Sequence, residues 1–166
     1  MDIGIRQVTK DDWDQVKFIY EAGIATKIAT FETQAPSSFE KWIGNANRGC
    51  SFVAQEGSTI LGWCKLTPVS TREVYSGVGE VSIYTHPAAK GKGIGTLLLQ
   101  NLIEKSEHHG FWTLEAKIFK ENEASIHLHM KNGFRLVGIR EKIGKRDGVW
   151  KDNVFLERRS TLVGTN

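Results

Sequence analysis

The run EVSIYTHPAAKGKGIGT, Glu80 to Thr96, constrains this chain most: an apolar strand, a short loop, then glycines at 91, 93 and 95 opening into an amphipathic segment. Glycine has no Cβ, so the amides of such a loop stay open and face the mouth of the following helix, whose dipole favours anions. The arrangement suits a pyrophosphate. Two better-known phosphate loops fail on spacing. A dinucleotide fingerprint, G-x-G-x-x-G, needs glycine at 96 or 98, where the chain has Thr96 and Leu98. A Walker loop needs G-x-x-x-x-G-K-[ST], and neither Gly91 nor Gly93 opens one. On these residues alone a ligand-free glycine turn stays open as the alternative, so the surrounding segments have to decide.

Those segments read as one α/β unit. The 166 residues are 40% hydrophobic without a compositional break, which predicts a single domain, 1–166, with a sizeable core. A net charge of +3 from 22 basic and 19 acidic residues argues against a nucleic-acid or membrane partner. No stretch approaches the length of a membrane span, and MDIGIRQVTKDDW lacks the apolar run of a leader, so a cytoplasmic location is expected. Cys50 and Cys64 lie in apolar, strand-like segments and read as reduced, buried side chains.

IGIRQV predicts a first strand, and Asp11 and Asp12 start a helix carrying Trp13, Val16, Ile19 and Tyr20 at helical spacing. A polar, Pro-containing loop, TKIATFETQAPSS, leads to a short helix around FEKWIGNA. CSFVAQ and ILGWCKLTPV form a hairpin about EGS, and GEVSIYT follows a loop holding Arg72 and Tyr75. Ile94 to His109 is a helix stopped by Gly110, WTLEAKI a strand, and Asn122 to Lys131 a helix stopped by Asn132 and Gly133. FRLVGI and VWKDNVFLE complete a strand pair. The sum is a mixed α/β (α+β) sheet of about seven strands with flanking helices.

KGKGIG at 90–95, NEAS at 122–125 and KNGF at 131–134, in that order around a strand–helix–strand unit, resemble the GNAT superfamily of acetyl-CoA-dependent N-acetyltransferases. ATFET at 29–33, EVSIYTHP at 80–87, NEASIHLH at 122–129 and WKD at 150–152 resemble its phosphinothricin and methionine sulfoximine acetyltransferase branch. The resemblance spans nearly the whole chain and implies a GNAT fold, acetyl-CoA as cosubstrate and, by family habit, a homodimer.

It also implies roles. The strand at Ile83, Tyr84 and Thr85 would splay from its neighbour and pair with the pantetheine arm. Gly91, Gly93, Ile94, Gly95 and Thr96 would offer amides to the pyrophosphate, flanked by Lys90 and Lys92 as point charges. Lys90 departs from the Arg or Gln more usual there. Asn122, an N-cap by position, would also reach the cofactor arm, with Ser125 nearby. A protonated amine must lose a proton before it can attack a thioester, and Glu80 is the expected base. Ser82, two residues on, shares its face. A backbone amide near Tyr84 would meet the oxyanion. His129 stands where many relatives carry a tyrosine and is the expected acid for the leaving thiolate.

For the acceptor, Arg72 is expected to clamp a carboxylate. Phe31, Trp63, Tyr75 and Trp150 would supply an apolar wall. Val69 and Ser70 replace the usual Trp–basic pair upstream of Arg72, and Ser76 stands where another arginine is common, so a less cationic pocket is expected. His127 with His129, and His108 with His109, are not spaced as ligand pairs, and no metal is expected. The expected reaction is acetylation of the α-amine of a small amino acid or an analogue such as methionine sulfoximine, methionine sulfone or phosphinothricin. A protein N-terminus or lysine is the alternative acceptor, and a non-catalytic acetyl-CoA sensor the alternative role.

Overall fold

Alternation along the central strands decides which helix covers which face. The structure, a computed structural model, describes residues 2–166. Strands β1 (Ile3–Gln7), β2 (Ser51–Glu56), β3 (Thr59–Pro68), β4 (Val78–Thr85), β5 (Thr113–Phe119), β6 (Arg135–Arg146) and β7 (Val149–Arg159) form one seven-stranded sheet in the order β1-β2-β3-β4-β5-β7-β6. On β2 and β3, Phe52, Ala54, Leu61, Cys64 and Leu66 face one way, and Val53, Ile60 and Trp63 the other. Ile60 and Trp63 share a face despite their odd spacing because the β2–β3 ladder shifts register at Ala54/Gln55.

The first face is covered by α3 (Ile94–His108), which buries Leu98, Leu99 and Leu102 completely, with α4 (Glu123–Lys131) beside it. The second is covered by α1 (Trp13–Ala25) and α2 (Phe39–Ile43), through Val16, Ile19, Trp42 and Ile43. Asp12 fixes the start of α1: it accepts from Thr9 N at 2.8 Å and is clamped by both terminal nitrogens of Arg6, at 2.8 and 2.7 Å. Asp11, by contrast, is exposed. At Gly23 α1 comes so close to β4 that a Cβ would stand 2.5 Å from the Tyr84 ring. Cys50 and Cys64 are free and fully buried, and burial pushes the Cys50 thiol up to about 11.

The sequence reading of β6 is too short. The strand continues from FRLVGI through EKIGKR to Arg146 and turns at Asp147 and Gly148, both at positive φ. It is an edge strand exposed along most of its length, so burial imposes no alternation for the sequence to display.

One irregularity organises the rest. β4 pairs in parallel with β5 only at Val78↔Thr113, Gly79↔Leu114 and Glu80↔Glu115, while its other edge stays zipped to β3 as far as Thr85↔Gly62. The sheet forks after Glu80, and Val81 to Thr85 keep one backbone edge without a strand partner.

Candidate active site

Two cavities meet at that fork. The first, about 400 Å³, is walled by Thr85, Lys90, Gly91, Gly93, Ile94, Gly95 and Thr96. Gly91 and Gly93 hold φ of +83° and +74°, and a Cβ at either would meet nothing within 4 Å, so their backbone lies open. Gly93 is the N-cap of α3 and places the helix dipole behind the loop. A left-handed, side-chain-free loop at a helix mouth fits a pyrophosphate. Lys92 is not among the walls of this cavity, although Lys90 is.

The second cavity, about 350 Å³, opens on the α1 and α2 face and is walled by Phe31, Glu80, Ser82, His129 and a set of aromatic residues. Ala29, Ile83, Tyr84, Asn122 and Ser125 wall both cavities. Glu80 is the last β4 residue paired to β5, and its Oε1 stands 3.8 Å from Lys117 Nζ. Glu115, its partner across the ladder, has its pKa raised by burial, with Lys117 opposing the shift and Glu80 adding to it. Asn122 caps α4 by accepting from Ser125 N at 3.3 Å, which occupies its carbonyl oxygen and leaves its amide hydrogens for other work.

His129 does not arrive as the acid that the sequence suggests. Its Nδ1 lies 2.7 Å from the carbonyl oxygen of Ser125, which can only accept, so Nδ1 carries the proton and Nε2 of the neutral ring is an acceptor. Donation from Nε2 would require the imidazolium. Burial lowers the pKa of this ring, partly offset by the Ser125 bond, and so disfavours that form.

Arg72 and Tyr75 are not among the residues walling the cavity. The β3–β4 ladder runs on through Pro68↔Gly79 and a bond from Val69 N to Val78 O at 3.2 Å, which carries the connecting loop off the end of the sheet. There Arg72 stacks over the Tyr75 ring at 5.3 Å, both exposed. Trp150 is likewise exposed, under Lys145. Phe31 and Trp63 do wall the cavity, Phe31 edge-on to Phe119 at 4.5 Å.

Several wall residues were not singled out from sequence: Tyr20, Trp42, Lys65, Lys117 and Asn153. Trp63 stacks on Tyr84 at 4.7 Å and meets Trp42 and Tyr20 edge-on. Burial pushes the Tyr84 phenol well up. Lys65 had a visible signal, a lone charge inside the apolar run ILGWCKL. Among the described residues no group of three or more His, Cys, Asp or Glu is placed to hold a metal ion, and no helix is long and apolar enough to cross a membrane.

The forked sheet thus sets a glycine cradle on one side and a carboxylate on the other. The acetyltransferase (GNAT) family description matches residues 13–134, and the chain belongs to that family. It is 31% identical over 159 residues to the phosphinothricin N-acetyltransferase of Alcaligenes faecalis, covering 93% of this chain and 81% of that one. It is 30% identical over 134 residues to the L-methionine sulfoximine/L-methionine sulfone acetyltransferase of Pseudomonas aeruginosa (strain PAO1), covering 81% of this chain and 73% of that one. A solved phosphinothricin acetyltransferase from Sinorhizobium meliloti, in complex with acetyl-CoA, superposes with a TM-score of 0.88 at 29% identity, covering all of this chain and 92% of that one.

Proposed function

We propose that the chain transfers the acetyl group of acetyl-CoA to the amine of a small amino acid or analogue, with Glu80 as base. The observation that carries this reading is the junction of two cavities at the unpaired edge of β4. Acetyl-CoA, when bound, supplies an acetyl group activated as a thioester. The open backbone of Gly91 and Gly93 at the mouth of α3, with Lys90 alongside, holds its pyrophosphate. The free edge of Val81 to Thr85 and the Asn122 amide bind its pantetheine arm, with Ser125 beside them.

On the other side of the fork, Glu80 takes a proton from the ammonium of the acceptor and leaves a lone pair free to attack the thioester carbonyl. As the C–N bond forms and the C–S bond breaks, coenzyme A departs as the thiolate and is protonated by the second amine proton or by solvent. β4 is paired on both sides at Glu80, the residue itself to Thr67 and the opposite strand edge in register with Glu115, so the carboxylate is positioned before the amine arrives. A backbone amide near Tyr84, on the edge of β4 that β5 leaves free, meets the developing negative charge. Ser82 and the aromatic rings shape the cavity around the amine. His129 contributes an acceptor at Nε2, and we assign it no proton donation near neutral pH. Ala29, Thr30 and Phe31 close this side from the loop after α1, which favours a small acceptor over a peptide.

Thiol release from acetyl-CoA, measured over free amino acids, sulfoximine and sulfone analogues, polyamines and peptides, tests this. Turnover confined to the small amino acids and analogues is expected. Turnover of peptides alone would move the acceptor to proteins. Tight acetyl-CoA binding with no turnover of any amine would make the chain a sensor.

A further inference from the structure

Lys65 projects from β3 into the acceptor cavity, between the strand that carries Glu80 and the short helix α2. Its Nζ donates to Trp42 O at 2.5 Å and lies 4.8 Å from the centre of the Trp42 ring. An ammonium has three donors, so this bond leaves two. Among the described residues no carboxylate pairs with it. The cavity's other cation, Lys117, faces Glu80, and the remaining titratable groups on the walls are Tyr20, Tyr84 and His129. Burial lowers the Lys65 pKa to about 8, so the charge is retained near neutrality but weakly solvated. A desolvated ammonium without a counter-charge is unfavourable unless an anion completes it.

Its position relative to Glu80 indicates which anion. Lys65 sits directly across the ladder from Ser82, and Glu80 from Thr67. Lys65 and Glu80 are therefore diagonal neighbours on one face, with backbones roughly 7–8 Å apart. A positive group and a negative group thus face one small cavity from two corners. That pattern complements a zwitterion, with the amine toward Glu80 and the carboxylate toward Lys65.

We propose that Lys65 is the anion receptor of the acceptor cavity and binds the carboxylate of an amino-acid acceptor while Glu80 faces its amine. This inference rests on the acetyl-transfer reading. It gives to Lys65 the role that sequence position suggests for Arg72.

The test compares a free amino acid with its carboxamide as acceptors, for the wild-type enzyme and for Lys65→Met. Taking the acid-to-amide ratio of kcat/KM in each protein cancels the different basicity of the two amines. Losing a charge-assisted contact should lower that ratio about tenfold or more, mainly through KM for the acid, with the amide nearly unaffected. Lys65→Gln, which keeps a donor for Trp42 O, should behave the same way if the Met variant folds poorly. A purely structural lysine capping α2 would change thermal stability and leave the ratio alone, and an unchanged ratio overturns the inference.

Wild-type enzyme gives an independent check. A carboxylate lacking the amine should compete with the amino acid, while its amide should not. Equal competition by both, or by neither, overturns the inference with acetyl transfer intact. Absence of turnover with every amine would instead remove the reading on which it rests.

Discussion

The two cavities at the fork are built from different materials. The cofactor side is made of backbone: left-handed glycines, a helix mouth and an unpaired strand edge. The acceptor side is made of side chains drawn from α1, α2, the loop after α1, β3, β4, β5, α4 and β7. A backbone site tolerates change in neighbouring side chains and asks for a few glycines at fixed spacing. A side-chain site is set by which distant residues the fold brings together, and it can change its ligand without changing the fold.

The sharpest way to break this comparison is at Glu80. Glu80→Gln should lower kcat at neutral pH by roughly 100-fold or more while leaving acetyl-CoA affinity within about twofold. A rate near wild type would remove Glu80 as base. A loss of cofactor affinity as large as the loss of rate would show that the two sides are not separable.

A second probe addresses the scaffold of the acceptor side. Asp12→Asn releases the clamp at the start of α1, the helix that supplies Tyr20 to the wall. Its hydrogen bond from Arg6 is the largest cause of a lowered carboxylate pKa. A depressed folded-state pKa contributes stability that is present above the ordinary value of 3.8 and lost as pH falls through the folded value. The variant should thus be less stable at pH 7 by about 2 kcal/mol, below the range for fully buried pairs because the Arg6 side chain is 39% exposed. The gap should close on acidification in urea melts. A gap independent of pH would mean that the pair is not its source.

On the backbone side, Gly93→Ala adds a Cβ that meets no atom but forces alanine to hold a φ of +74°. The expected cost is about 1–2 kcal/mol, read as weaker acetyl-CoA binding by calorimetry with KM for the acceptor little changed. Unaltered affinity would detach the glycine cradle from the cofactor. The smallest effect belongs to Arg72→Ala, which should change acceptor KM by about twofold or less, since surface changes away from a site are usually minor. A large rise would place the loop after β3 in the acceptor site after all.

The same division governs what could be read from the sequence. Glycines at 91, 93 and 95 before an amphipathic run report a loop and a helix start locally, and Asn122 reports its own cap. The strands and helices followed from periodicity, except where exposure removed the pattern, as along the second half of β6. The fork was expected only through the family resemblance, because no residue between Glu80 and Thr85 announces that the β5 ladder stops. Arg72 is near Glu80 in sequence but lies outside the cavity wall, because the continuing β3–β4 ladder carries its loop off the end of the sheet. Trp42 and Lys65, 23 residues apart, meet only through the packing of α2 on the sheet. The lone lysine in ILGWCKL was the one local sign of that meeting.

Ala29, Ile83, Tyr84, Asn122 and Ser125 belong to both cavities, and this gives the two ligands a common boundary. Any adjustment of those five residues made for one ligand is inherited by the other. Thermodynamic linkage then makes the effect mutual: whatever factor the acyl donor applies to the affinity of the amine, the amine applies to the donor. Order of addition at such a boundary is a matter of kinetics, while the coupling itself is a single number shared by both partners.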